Sequence, residues 1–362
     1  MREELAGFTI GVTADRRRDE LATLLQRRGA RVVLAPALRI APLADDTELR
    51  DATRACLDRP PDVLMANTGI GMRGWLEAAE GWALGEPLRD VLSRSYVVAR
   101  GPKATGAIRA AGLREHWSPA SESCDEVVDH LLRRGVAGQV VALQLHGERQ
   151  PECTEALEAA GATVIEIPVY RWAPPADPAP LHRLIDLVAG RLVDAVTFTS
   201  AAAAEALLRA AGDRTETVLD ALRGDVLAGC VGPVTAEPLI RRGVPVSAPS
   251  RARLGALVRT IVDELPQRAV TIRAAGHQLT LRGHAAIVDG ELRPLAPAPM
   301  AVLRALAVSP GRVLSRTVLL RALPRGADEH AVEMAVARLR AGLRAPRAVQ
   351  TVVKRGYRLR VE

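Results

Sequence analysis

Polar residues gather at five places where an apolar run gives way to a helical pattern. Thr13 follows Phe8-Thr-Ile-Gly-Val, and Asn67-Thr68 follow Asp62-Val-Leu-Met-Ala. Gly101-Pro-Lys103-Ala-Thr105 follow Tyr96-Val-Val-Ala-Arg, Thr199-Ser200 follow Asp194-Ala-Val-Thr-Phe, and Gly232-Pro-Val-Thr235 follow Cys230-Val. Such turns stand at the carboxyl ends of strands, where α/β proteins bind ligands, and their helix N-termini and hydroxyls suit an anionic one. Different chemistry is available near the C-terminus. There Val332, Ala335, Val336, Leu339 and Leu343 repeat at helical spacing, with Glu333, Ala337, Arg340 and Arg344 opposite and Arg338 beside them. A helix that buries one stripe and projects arginines from another can read guanine in a DNA major groove, while a solvated face in an arginine-rich chain is the competing reading.

The elements that carry these residues repeat. Gly29-Ala-Arg-Val-Val-Leu-Ala-Pro36 is echoed by Gly161-Ala-Thr-Val-Ile-Glu-Ile-Pro168, and Tyr170, one of three tyrosines, stands at the joint of the second copy. Gly29 and Gly161 lie 132 residues apart, Asp62 and Asp194 also 132, and Gly101 and Gly232 131. The spacing predicts two related βα units with parallel sheets and a cleft between them. After Leu265-Pro266 the pattern changes. Residues 270–296 alternate apolar and polar side chains around Gly276, Gly283 and Asp289-Gly290, which predicts antiparallel strands. Helices are expected at Pro299–Val308, at Ser315–Leu323 with Ser315 as N-cap, and at Asp328–Leu343. A basic hairpin is expected from Thr351 to Glu362.

With 362 residues the chain suits two or three domains. The net charge of +7 is unevenly placed: residues 267–362 hold 17 basic and 6 acidic side chains, +11, so the remainder is −4. The basic character therefore belongs to the C-terminal segment, as a DNA-binding module requires. Only Lys103 and Lys354 are lysines among 49 basic residues, so this asymmetry says more than the arginine count. The four scattered cysteines argue against a zinc site or a disulfide scaffold, and no metal or cofactor is expected. His146 reads as a polar loop histidine, since no second histidine is near it in sequence, or as a contact to a ligand or metal. No apolar run suits a membrane span and Met1-Arg-Glu-Glu-Leu-Ala-Gly lacks a signal-peptide core, so the expectation is a cytoplasmic protein without a membrane partner.

Two family resemblances follow. Strands, then three helices, then Lys354-Arg355-Gly356-Tyr357-Arg358-Leu359, with Ser309-Pro-Gly-Arg-Val-Leu-Ser315-Arg between the first two helices, resemble the winged-helix domain of OmpR/PhoB-type response regulators across residues 270–361. That resemblance implies binding of double-stranded DNA through Arg338, Arg340, Arg344, Lys354, Arg355, Tyr357 and Arg358, with self-association on DNA left open. Ala335 and Ala337 stand where that family often carries polar or basic side chains, and its usual phosphorylated receiver domain is missing. Residues 5–265 resemble uroporphyrinogen-III synthase through Gly11-Val-Thr13, Val169-Tyr170, Phe198-Thr199-Ser200 and Val231-Gly232-Pro-Val-Thr235-Ala.

The second resemblance implies two flavodoxin-like parallel-sheet domains joined by two crossing strands near Leu38 and Tyr170. Residues 1–38 with 173–264 would form one domain, 39–172 the other, and 267–362 the winged-helix domain. It also implies cofactor-free closure of hydroxymethylbilane, with Tyr170 helping the terminal hydroxyl depart. Thr13, Asn67, Thr68, Gly101, Lys103, Thr105, Thr199, Ser200, Gly232 and Thr235 would receive a small anionic or tetrapyrrole-like ligand. Three features depart from the synthase pattern: Asp15-Arg16 after the first strand, Thr105 displaced by one residue relative to Thr235, and the Gln144-Leu-His146-Gly-Glu-Arg149 loop. The combination resembles actinobacterial regulators of nitrate and nitrite assimilation. Two functions are therefore expected to compete: a DNA-binding regulator with a synthase-like ligand-sensing or dimerisation module, and an active synthase that carries a DNA-binding domain.

Overall fold

The run Thr9-Ile-Gly-Val12, with every residue buried, forms a strand covered on both faces, as central strands of parallel sheets are. In the computed structural model, which describes residues 3–323 and 329–361, the chain divides into two units, Met1–Ala37 with Asp177–Glu362, and Leu38–Ala176. It begins with β1 (Thr9–Val12), α1 (Arg18–Gln26) and β2 (Arg31–Leu34). It then builds the second unit from β3 (Arg39–Ala41), α2 (Thr47–Asp58), β4 (Val63–Ala66), α3 (Gly69–Gly81), α4 (Gly85–Ser93), β5 (Tyr96–Ala99), α5 (Pro102–Ala110), α6 (Cys124–Arg134), β6 (Val140–Gln144), α7 (Pro151–Ala159), β7 (Thr163–Ile167) and β8 (Arg171–Ala173). The first unit resumes with α8 (Ala179–Ala189), β9 (Ala195–Phe198), α9 (Ala201–Ala211), α10 (Thr215–Arg223), β10 (Leu227–Cys230), α11 (Pro233–Ile240), β11 (Val246–Ser247) and α12 (Leu254–Glu264).

Both sheets are parallel, in the orders β11-β10-β9-β1-β2 and β5-β4-β6-β7. Their registers match as the duplication requires: Ile10 faces Ala195 as Val141 faces Val63, and Thr9 faces Arg31 as Val140 faces Thr163. Around the two places where the chain passes between units, β3 and β8 pair antiparallel, Ile40 opposite Trp172.

The C-terminal part is a four-stranded antiparallel meander, β12 (Thr271–Ala274), β13 (His277–Arg282), β14 (Ala285–Val288) and β15 (Glu291–Pro294), then α13 (Pro297–Val308), α14 (Arg316–Ala322), α15 (Glu329–Leu343) and the hairpin β16 (Val349–Val352) with β17 (Gly356–Leu359). This is a winged-helix arrangement, with Leu279, Leu303, Leu306, Leu319, Leu339 and Leu343 in one core. Helix α13 starts two residues earlier than expected, because a proline at a first helical position costs no hydrogen bond. Ser315 caps α14, its hydroxyl accepting from the Val318 N–H at 3.3 Å. The expected α15 start at Asp328 and the terminal Glu362 lie outside the described residues.

Within the first unit the meander docks on the starts of β1 and β9. His284 donates its backbone N–H to the Gly7 carbonyl (2.8 Å), and its Nδ1 lies 3.1 Å from Thr9 Oγ1. Arg282 Nη1 donates to the Glu4 and Ala6 carbonyls (3.0 and 2.7 Å), and Arg304 to those of Arg191 and Gly283 (2.7 and 2.9 Å). Asp194 lies beneath this contact. Its Oδ2 accepts the Thr9 N–H (2.7 Å), as Asp62 Oδ2 accepts the Val140 N–H (2.8 Å) in the other copy. Here, however, Gly283 covers the carboxylate so closely that a Cβ on it would lie 1.7 Å from Oδ2.

Burial pushes the Asp194 carboxyl up to about 6, against the opposing pull of the Thr9 amide and Arg304. A group whose pKa is raised by folding binds its proton more tightly in the folded state. Its contribution is thus full below the unfolded value of about 3.9 and is lost as pH rises through about 6. The stability of wild type relative to Asp194→Asn is therefore expected to fall by about 2–3 kcal/mol between roughly pH 4 and pH 8, measured by urea unfolding. A difference that does not change with pH would contradict the assignment.

Candidate functional site

In the unit Leu38–Ala176 the polar turns form a connected set. Thr68 is extended and caps α3, its hydroxyl accepting the Gly71 N–H at 3.1 Å. Its backbone N–H and that of Asn67 donate to Gln144 Oε1 (2.8 and 3.1 Å), while Asn67 Nδ2 donates to the Gln144 carbonyl (2.8 Å). Gln144 is fully buried, so the end of β6 fixes the end of β4. Tyr170 is buried, and its hydroxyl lies 3.3 Å from Thr68 Oγ1. The structure thus brings together two expected residues 102 positions apart.

Asn67 faces inward as well as toward Gln144. Cys124 Sγ lies 3.5 Å from its Oδ1, and Arg100 Nη1 reaches both Cys124 Sγ (3.6 Å) and His146 Nδ1 (3.4 Å). His146 is half-buried and meets the Trp172 ring edge-on at 4.9 Å. Burial, then the Arg100 cation, push its pKa down to about 3, so at neutral pH it is a neutral acceptor that orients Arg100. Gly101 caps α5 in extended conformation without a side-chain bond, and Pro102 opens the helix. The exposed Glu122 carboxylate lies against it: a Cβ on Gly101 would be 3.2 Å from Glu122 Oε2. Lys103 is exposed and Thr105 half-buried on the same first turn.

In the unit containing β9, Ser200 repeats the role of Thr68, its hydroxyl accepting the Ala203 N–H at 3.2 Å. Gly232 repeats Gly101, extended and followed by a proline. Thr199 is half-buried and Thr235 buried. Thr13 is 1% exposed and its hydroxyl donates to the Thr197 carbonyl at 2.8 Å, while Thr197 returns a bond to the Gly11 carbonyl at 3.0 Å, so Thr13 closes the β1–β9 seam. By register it is the counterpart of Gln144, the residue the sequence reading missed as an organiser. A polar residue ending the apolar run Val140-Val-Ala-Leu is the signal that could have found it. Asp15 is half-buried and has Arg18 at 3.9 Å, so it is not isolated. Among the described residues no three His, Cys, Asp or Glu side chains converge as a metal site.

Helix α15 buries Val332, Ala335, Val336, Leu339 and Leu343. Ala335 thus faces the core, and only Ala337 of the two departing alanines is exposed. Arg338 and Arg344 are exposed, as are Lys354 and Arg355 at the hairpin turn. Three other expected DNA contacts are engaged within the winged-helix part itself. Arg340 donates to the Val349 carbonyl (2.9 Å) and Thr351 Oγ1 (2.7 Å), and Arg358 donates across the strands to Gln350 Oε1 (2.9 Å). Tyr357 is buried in the core, with the Arg316 and Arg340 guanidiniums 5.9 and 6.0 Å from its ring centre. An aromatic ring and two bonded arginines at the helix–hairpin joint are better placed to fix the wing than to touch a base.

Duplicated parallel sheets with paired capping turns, followed by a winged helix, define the class. The chain belongs to the family of uroporphyrinogen-III synthase HemD, whose model matches residues 19–259, and residues 290–359 match the C-terminal domain of transcriptional regulatory proteins. Among relatives, it is 27% identical over 261 residues to the uncharacterized protein YjjA of Bacillus subtilis, covering 71% of this chain and 96% of that one. Among solved structures it resembles a mutant uroporphyrinogen III synthase from the extremely thermophilic bacterium Thermus thermophilus at 30% identity and a TM-score of 0.63, over 72% of this chain and 99% of that one. The wild-type synthase from the same bacterium gives 30% identity, a TM-score of 0.52, and coverage of 72% and 98%. Among the described residues no helix is long and apolar enough to cross a membrane.

Proposed function

We propose that this chain is a cytoplasmic, DNA-binding transcriptional regulator whose synthase-like region binds a small anionic or tetrapyrrole-like ligand at its strand-end turns. The observation that carries the reading is the basic surface of the winged-helix part, where Arg338 on α15, Arg344 just after it, and Lys354 and Arg355 on the hairpin are exposed, beside the Arg340 and Tyr357 contacts that join helix and hairpin. The resemblance to regulators of nitrate and nitrite assimilation extends the reading to nitrogen-assimilation genes. In the synthase-like region, Thr68, Ser200, Gly101 and Gly232 stand at helix starts suited to anions, and Lys103 adds an exposed cation.

Fluorescence anisotropy with labelled duplexes tests the DNA assignment on the full-length protein. With about four phosphate or base contacts from these cations, log affinity should fall against log salt with a slope on the order of −4. Arg338→Ala should reduce discrimination between sites by about 1–3 kcal/mol, and Arg355→Ala should weaken all sequences alike. Wild-type affinity and sequence preference in both variants would refute the interface.

The second reading, an active uroporphyrinogen-III synthase carrying a DNA-binding domain, is favoured by one observation. The Tyr170 phenol sits 3.3 Å from Thr68 Oγ1, beside the turn that would receive the substrate, within reach of a general-acid role.

A further inference from the structure

Where the meander docks on the parallel sheet of its own unit, a cavity of about 260 Å³ opens at the contact. It lies at the starts of β1 and β9, the opposite end of those strands from the turns discussed above. Four arginines line it, Arg191, Arg268, Arg282 and Arg304, with two aspartates, Asp194 and Asp225. Arg191 is paired with Asp225 and Arg304 with Asp194. The charges of Arg268 and Arg282 are thus left over, a surplus of two positive charges in the lining.

Arg282 is the informative one. Its Nη1 is taken by two backbone carbonyls, its guanidinium carbon lies 5.0 Å from the centre of the Phe8 ring, and its Nε is shielded from solvent without a hydrogen-bond partner among the described residues. Leaving a buried charged donor unpaired costs more than a neutral one. Phe8, Val193, Leu281 and Val270 supply apolar wall beside the cations, and Val270 is 51% exposed at the rim.

From these features we infer that the cavity is a second ligand site, for a small organic anion with one carboxylate, sulfonate or phosphate head and an apolar body. The head would lie among Arg268 and Arg282 and the body against Phe8 and Val270. This inference is independent of the ligand assigned to the strand-end turns. Because Phe8 and Arg191 come from the parallel-sheet part and Arg282 and Arg304 from the winged-helix part, an occupant binds only while the two are docked, and by mass action it favours that arrangement.

The probe is 8-anilinonaphthalene-1-sulfonate, a sulfonate on an apolar frame, titrated into the full-length protein by fluorescence. Arg268→Glu reverses an exposed charge that makes no described hydrogen bond, and Ala307→Glu sets a carboxylate in the lining of the cavity. Both variants are checked for wild-type thermal unfolding. The expected result is saturable binding to wild type, at least about tenfold weaker in each variant. Absence of saturable binding in wild type, or wild-type affinity in either glutamate variant, would overturn the site. Should Ala307→Glu unfold early, Arg268→Glu alone decides.

Discussion

Gly356→Ala is expected to abolish DNA binding while Leu38–Ala176 stays folded. Gly356 has a φ of 129°, a left-handed conformation that side chains rarely adopt, and a Cβ there would lie 1.9 Å from the Leu314 carbonyl oxygen. That oxygen cannot step aside, because it accepts the Tyr357 N–H at 2.9 Å while the Leu314 N–H donates to the Tyr357 carbonyl at 2.8 Å. These two bonds pin the hairpin to the chain entering α14. Releasing them would withdraw Tyr357 from the core, loosen Arg340 from β16, and move Lys354 and Arg355 off the surface they share with α15. The cost is expected to be about 3 kcal/mol or more, since backbone strain and lost packing add. Anisotropy and thermal unfolding monitored by circular dichroism would show it. An alanine variant with wild-type DNA affinity would mean that the hairpin is not part of the interface.

Much of this arrangement was legible in the sequence, and the reason is local. The 132-residue offset is visible because both copies need the same turn chemistry: Thr68 and Ser200 cap the next helix in the same way, and Asp62 and Asp194 each accept the first backbone N–H of a neighbouring strand. The winged-helix order was readable because Ser315, Asp289-Gly290 and the α15 stripe act within a few residues of themselves. Contacts between distant segments were not readable. A helical wheel places Arg340 on the polar side of α15 but does not reveal that β16 returns to receive it, nor that Tyr357 turns inward. The bond of the Thr13 hydroxyl to β9, 184 residues away, was hidden for the same reason. Gln144 was passed over because its amide has meaning only once β4 and β6 lie side by side. Helix α6 carries Val127, Val128 and Leu131 on one face, an amphipathic run that is itself readable from the sequence.

The second large effect concerns catalysis, and it decides between regulator and enzyme. A polycarboxylate arriving at the α5 turn of Leu38–Ala176 meets the exposed Glu122 carboxylate. The like charge is screened by solvent and opposes a polycarboxylate there by about 1 kcal/mol or less. Tyr170 keeps its place beside Thr68, so its phenol is the group whose removal tests turnover. The direct measurement gives freshly generated hydroxymethylbilane to the full-length protein and to Tyr170→Phe, and determines the ratio of uroporphyrinogen III to the spontaneously formed type I isomer. A regulator that has left catalysis behind should yield predominantly type I in both. Nearly pure type III from wild type at ordinary enzyme rates, lost in Tyr170→Phe, would contradict it and establish the chain as a working synthase.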